Sequence, residues 1–201
     1  MYKGRQCDKH LTELRMPGVA DVGDSVRLDA VLTRDADAQK RITSARLRFG
    51  KDGLLRGVDV RGALSSWAAS EIKDTIRAIA QSIGPYPHDF KVNLVRVNAT
   101  GQIRVLAETV TCEPRQHLTP ETKSLLRRIQ GEVPRGSVHR DALVQFILEA
   151  DGRVSDAWMW DGTGFANVDS LTMQLFHAMR FDPAIVGRSA VATLLIQPFK
   201  F

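Results

Sequence analysis

The sequence predicts an α+β protein of two small domains, each an antiparallel sheet covered by helix on a ββαβ core. Three observations predict it. Asp52-Gly53 and Asp151-Gly152 each separate two strand-like runs, and a glycine after aspartate tolerates the positive φ that a tight hairpin needs. Each hairpin is followed by apolar residues at helical spacing, then a proline, then another strand-like run. The intervals also agree, with 32 residues from Gly53 to Pro85 and 31 from Gly152 to Pro183. The expected domains are 1–115 and 116–201. The first reads either as a divergent duplicate of the second or as chance recurrence of a common arrangement, since few side chains match.

In chain order, residues 1–24 read as an irregular or partly helical lead-in punctuated by Met16-Pro17-Gly18. Val26 to Thr33 alternates and predicts a strand, and Ala45 to Phe49 predicts another. Lys51-Asp52-Gly53 turns the chain into a return strand over Leu54 to Val60. Ser65 or Ser66 caps a helix whose apolar face is Ile72, Ile76, Ile79 and Ile83, ended by Gly84-Pro85. Phe90 to Val97 and Ile103 to Val110 predict a strand pair about the Asn98–Gly101 turn, and Pro114 opens a linker.

The second half begins with Thr119-Pro120-Glu121, a cap, a first-turn proline and an acid that complements the helix dipole. This helix is expected to stop at Gly131. Ala142 to Ala150 is an almost continuous apolar strand, and Val154 to Trp160 returns from the Asp151-Gly152 turn. Val168, Leu171, Leu175, Phe176 and Met179 define the face of a further helix, ended by Asp182-Pro183. Ala190 to Ile196 is the last strong strand.

Composition bounds the function. A chain that is 43% apolar and 25% charged falls in the ordinary range for a soluble globular protein, and no apolar run reaches the ~20 residues of a membrane span. No signal peptide follows Met-Tyr-Lys-Gly-Arg-Gln, so the protein is either cytosolic or read from after a removed signal or anchor. The net charge of +5 lies in the first 116 residues, with 19 basic against 14 acidic, while 117–201 hold nine of each. Arg46, Arg48, Lys51, Arg56 and Arg61 around the first hairpin raise nucleic acid or anionic lipid as a partner, although solvated strand faces explain them as well.

The five histidines are scattered, and no nucleophile elbow, zinc-helix motif or P-loop is present. Gly162-Thr163-Gly164 starts like a dinucleotide loop but lacks its third glycine. No catalytic residue, metal ligand, cofactor or small-molecule substrate is therefore expected. Trp158 and Trp160 are expected on one strand face, with at least one in the core. Cys7 and Cys112 have neither metal nor redox-motif spacing. They are either a disulfide or two separate thiols, according to compartment.

One combination of motifs is more specific. Asp151-Gly152-Arg153-Val154 follows an apolar strand. Arg180-Phe181-Asp182-Pro183-Ala184 ends a helix, and Gly187 leads to Ala190-Val-Ala-Thr-Leu-Leu-Ile196 before Pro198-Phe-Lys-Phe201. This resembles the carboxy-terminal domain of TonB-type energy transducers, closely over about 60 residues, with the 119–130 helix as a looser extension. In that pattern Gly152 permits the turn and Phe181 plugs the gap between helix end and sheet. Pro183 stops the helix, and Gly187 permits a sharp entry to the last strand.

The resemblance implies a periplasmic binding module, either a stand-alone relative or a soluble fragment of an inner-membrane-anchored protein. Its partner would be an outer-membrane receptor or another envelope protein, presenting an extended peptide. Docking by strand addition would fall on Ala190, Val191, Ala192, Thr193, Leu194, Leu195, Ile196 and Gln197, with energy transduction in transport as the setting. An oxidising periplasm would also favour a Cys7–Cys112 disulfide. The alternatives are a scaffold subunit that forms a homodimer through this last strand, and a binder of nucleic acid or anionic lipid through its basic surface.

Overall fold

The computed structural model describes residue 7 and residues 22–35, 42–81, 89–97, 101–133 and 141–200, with side chains from 27 and, in the helix ending at 81, up to 78. The chain is mixed α and β and divides into two compact units. One comprises Cys7–Thr111 with Val186–Ser189, the other Cys112–Ile185 with Ala190 onward.

In the first unit the order is α1 (Val22–Arg34), β1 (Ile42–Phe49), β2 (Leu55–Arg61), α2 (Ser66–Gln81), β3 (Phe90–Arg96) and β4 (Ile103–Ala107). The strands hydrogen-bond antiparallel in the order β2-β1-β3-β4. Ala45, Leu47, Val58, Val92 and Leu94 turn one face of this sheet inward, and Ile72 and Ile76 of α2 are buried on the helical side. Ser65 caps α2, its Oγ accepting the Ala68 N–H at 3.2 Å. The stop at Gly84-Pro85, the side chain of Ile79 and all of Ile83 lie outside the described residues, as does the lead-in apart from Val22 onward and Cys7.

The strand expected over Val26 to Thr33 is instead helix α1. Leu28, Val31 and Leu32 are all buried, an i, i+3, i+4 set that one helix face brings together and a strand would split between two faces. Ion pairs join α1 to its neighbours, Arg27 to Glu71 of α2 at 3.4 Å and Asp29 to Arg96 of β3 at 3.5 Å.

From Cys112 onward the order is β5 (Arg115–His117), α3 (Pro120–Glu132), β6 (Ala142–Leu148), β7 (Val154–Asp161), α4 (Ala166–Ala178), β8 (Arg180–Asp182), β9 (Ala184–Val186), β10 (Ser189–Val191) and β11 (Thr193–Phe199). Thr119 caps α3 by accepting the Thr122 N–H, and Pro120 occupies the first turn. The helix runs through Gly131 rather than stopping there. β6 pairs antiparallel with β7 and with β11. The expected α4 face is buried, and Phe146, Phe176 and Phe199 stack in the core with ring centroids 5.2 and 6.2 Å apart.

Two expectations change here. The segment after Pro114 is not only linker, because β5 pairs antiparallel with β8. The last strand is also broken, with Ala190 and Val191 in β10 and the longer β11 starting at Thr193.

The hairpins of the two units share one register. A shift of 99 positions carries Arg46↔Asp59 onto Gln145↔Trp158 and Leu47↔Val58 onto Phe146↔Ala157. The irregularity beside the turn falls at Phe49↔Leu55 in one and at Leu148↔Val154 in the other. The turn glycines have nearly the same backbone, φ 73° at Gly53 and 82° at Gly152.

Candidate functional site

The motif residues of the second unit meet at the junction of hairpin and helix end. The Asp151 carboxylate accepts the Arg153 N–H at 2.9 Å, which tightens the turn. Gly152 gives its carbonyl to the Phe181 N–H at 2.9 Å, and Arg153 bridges Arg180 as a single antiparallel pair. A Cβ on Gly152 would lie 2.0 Å from the Phe181 carbonyl oxygen, so glycine is required for close approach as well as for φ. Val154 opens β7, and its side chain is in the core.

Phe181 is buried against Phe146, with ring centroids 5.5 Å apart. Arg180 turns its guanidinium back on the helix, its Nη1 donating to the Met179 carbonyl at 2.8 Å and, more weakly, to those of His177 and Ala178. A cation on the carbonyls at the end of α4 satisfies acceptors the helix leaves open. Pro183 stands between β8 and β9. Gly187, at φ 63°, lies in the turn between β9 and β10 and donates its N–H to Thr111 Oγ1 at 2.7 Å. These contacts hold the helix end to the sheet; none presents a reactive group.

The docking strand expected at 190–197 falls on β10 and β11. β11 pairs with β6 from Thr193↔Leu148 to Phe199↔Ala142, and β7 pairs with β6 on its other side. Thr193 is buried, while Ile196 is 56% exposed on the sheet face away from α3 and α4.

On that face Ile196, Gln145 and Trp158 stand in one cross-strand row, and the Trp158 indole N–H donates to the buried Gln145 Oε1 at 2.8 Å. Trp160 is 57% exposed, and the register slips beside it, between Leu143↔Asp161 and Val144↔Met159. The alternation expected to put both tryptophans on one face therefore breaks at Trp160.

Several clusters resolve as structural. The 162–164 loop is tied to α4, where the Thr163 N–H and hydroxyl both donate to Asp169 Oδ1, at 2.8 and 2.7 Å. In the first hairpin Arg46 pairs with Asp89, Arg48 with Asp59 and Arg56 with Asp52. Burial pushes the Asp89 carboxyl up. The Arg46 hydrogen bonds, the Phe49 N–H and the charges of Arg46 and Arg48 outweigh it and hold its pKa below the ordinary carboxylate value. Among the described residues, Lys51 and Arg61 are the cations of that cluster without a carboxylate partner.

His117 of β5 sits 2.9 Å from Asp182 of β8, a contact between residues 65 apart that no sequence pattern announces. A broad groove of about 930 Å³ between α3 and α4 is lined by Glu121, Arg128, His177 and Arg180 among others. Among the described residues no His/Cys/Asp/Glu group is arranged to hold a metal ion, and no helix is long and apolar enough to cross a membrane. Cys7 and Cys112 are joined in a disulfide.

No protein-family model matches the chain, and no curated protein matches it.

Proposed function

We propose that the chain is a protein-interaction module of the Gram-negative cell envelope. It binds an extended segment of an outer-membrane or secretion component by strand addition and catalyses no reaction. One observation carries this reading: β7 ends the strand order of a unit whose hairpin and helix end are built from the motif residues of the TonB-type resemblance. A terminal strand offers a visiting segment its outward N–H and C=O groups. Trp160, exposed near the end of β7, supplies the kind of aromatic anchor that dominates binding energy.

The Cys7–Cys112 disulfide supports an oxidising compartment, hence the periplasm. The common hairpin register supports a duplicated unit and a TonB-like second half. The basic-surface alternative loses support, because carboxylates already engage Arg46, Arg48 and Arg56.

The test is hydrogen–deuterium exchange of the full chain with extended peptides from outer-membrane transporters. Protection gathered on 154–161, weakened about thirtyfold by Trp160→Ala, is the expected result for an anchor of ~2 kcal/mol. Protection elsewhere, or none at saturating peptide, removes the proposal. Protection of β7 that appears with protein concentration alone would instead indicate the scaffold dimer.

A further inference from the structure

The first unit has a terminal strand of its own, and a groove runs beside it. β2 ends the strand order and, among the described residues, is paired only on its β1 side, from Phe49↔Leu55 to Ser44↔Arg61. Between its open edge and α2 lies a groove of about 610 Å³. Its floor is Val58 and Val60, and its helical wall presents Ala69 and Ser70. A strand laid along β2 would stand about 4.8 Å away, and short side chains on the facing helix leave it that room.

The charge left without a partner along this edge is positive. Asp59 is neutralised by Arg48, with Nε 2.8 Å from Oδ2. Lys73 borders the groove from the helix, and Arg61 borders it from the opposite face of β2, the one that carries Asp59; neither makes an ion pair among the described residues. Open main-chain groups, an apolar floor and two unneutralised cations specify one kind of visitor.

We propose that this groove is a second binding site, taking an extended acidic peptide segment of a partner protein as an added strand beside β2. Side chains at alternate positions of the segment turn into the groove, where Val58, Val60 and Ala69 select small or β-branched apolar residues. Its carboxylates turn to the other face, where they meet Arg61, and Lys73 adds positive charge at the helical rim. The site does not rest on the role given to β7, since it lies in the other unit and reads a different feature of the partner.

The experiment is titration of the isotope-labelled full chain, followed by amide NMR, with a short blocked peptide of alternating valine and glutamate. The expected result is shifts gathered on 55–61 and 66–73 that weaken as salt is raised. The double variant Arg61→Glu/Lys73→Glu changes two surface charges and should weaken binding at least about tenfold, because like charges then face each other. Ser70→Trp, which fills the groove while leaving both cations, should abolish the shifts.

Equal shifts from an alternating valine–lysine peptide would overturn the proposal, as would no shifts at millimolar peptide. A response confined to 154–161 would overturn it while supporting the β7 reading. Line broadening along β2 that grows with protein concentration alone would assign the edge to a second copy of the chain and overturn it too.

Discussion

Replacing Gly152 by alanine tests the junction that organises the second unit. Two costs are separable. The first is backbone: at φ 82° an L side chain crowds its own carbonyl, at about 1–2 kcal/mol. The second is contact, because the new Cβ would lie 2.0 Å from the Phe181 oxygen, where ordinary contact begins at 3.4 Å. Hairpin and helix end must then part by about 1.4 Å, which breaks the Phe181–Gly152 hydrogen bond and loosens Phe181 from Phe146. Overpacking of this kind costs about 1–3 kcal/mol and the bond about 1, giving a total near 3–6 kcal/mol. Gly164→Ala is the control, since φ there is 92° and nothing lies within 4 Å of its Cβ. Urea unfolding followed by tryptophan fluorescence reads both, Trp158 and Trp160 reporting on this unit. Equal losses in the two variants would refute the close-approach reasoning.

Other perturbations have defined outcomes. Thr119→Ala removes the α3 cap and should cost about 1 kcal/mol in the same urea assay. Trp158→Phe leaves the buried Gln145 Oε1 without its donor, so a loss of about 1–3 kcal/mol is expected, and recovery on adding Gln145→Leu would confirm the cause. The Asp89 carboxyl has a folded pKa below its ordinary value, so its contribution is present above that value and lost as pH falls through the folded pKa. Thermal melts from about pH 5 downward should therefore show a shallower acid slope for Asp89→Asn than for the parent. Reducing the Cys7–Cys112 bond opens a loop of about 100 residues and should lower stability by up to ~4–5 kcal/mol in calorimetry with and without reductant.

Legibility in the sequence followed the range of the interaction. The hairpins at Gly53 and Gly152 were readable because a positive φ leaves its mark on two adjacent residues. The α4 face was readable because Val168, Leu171, Leu175 and Phe176 keep helical spacing. The α1 segment was misread because Val26, Leu28, Ala30 and Leu32 satisfy a period of two. Val31 was the discriminating residue, since a strand would have turned it away from Leu28 and Leu32, and all three are buried. Three-residue strands such as β5 and β8 carry too little pattern to announce a pairing. Which strands neighbour which leaves no record in the periodicity of one strand. The β2 groove was missed for the same reason: Arg61 and Lys73 are ordinary surface cations until the fold sets them on the two sides of one strand edge.

The bond between Cys7 and Cys112 has a mechanical corollary. When the chain is tensed between its termini, load entering at residue 7 crosses the sulfur bridge and leaves at residue 112. The covalent path thus bypasses β1 to β4 and their helices, which bear none of the stretch. Tugging would be felt by the later hairpin first, and the earlier sheet would stay folded under forces that unravel its counterpart until a reductant cuts the shortcut.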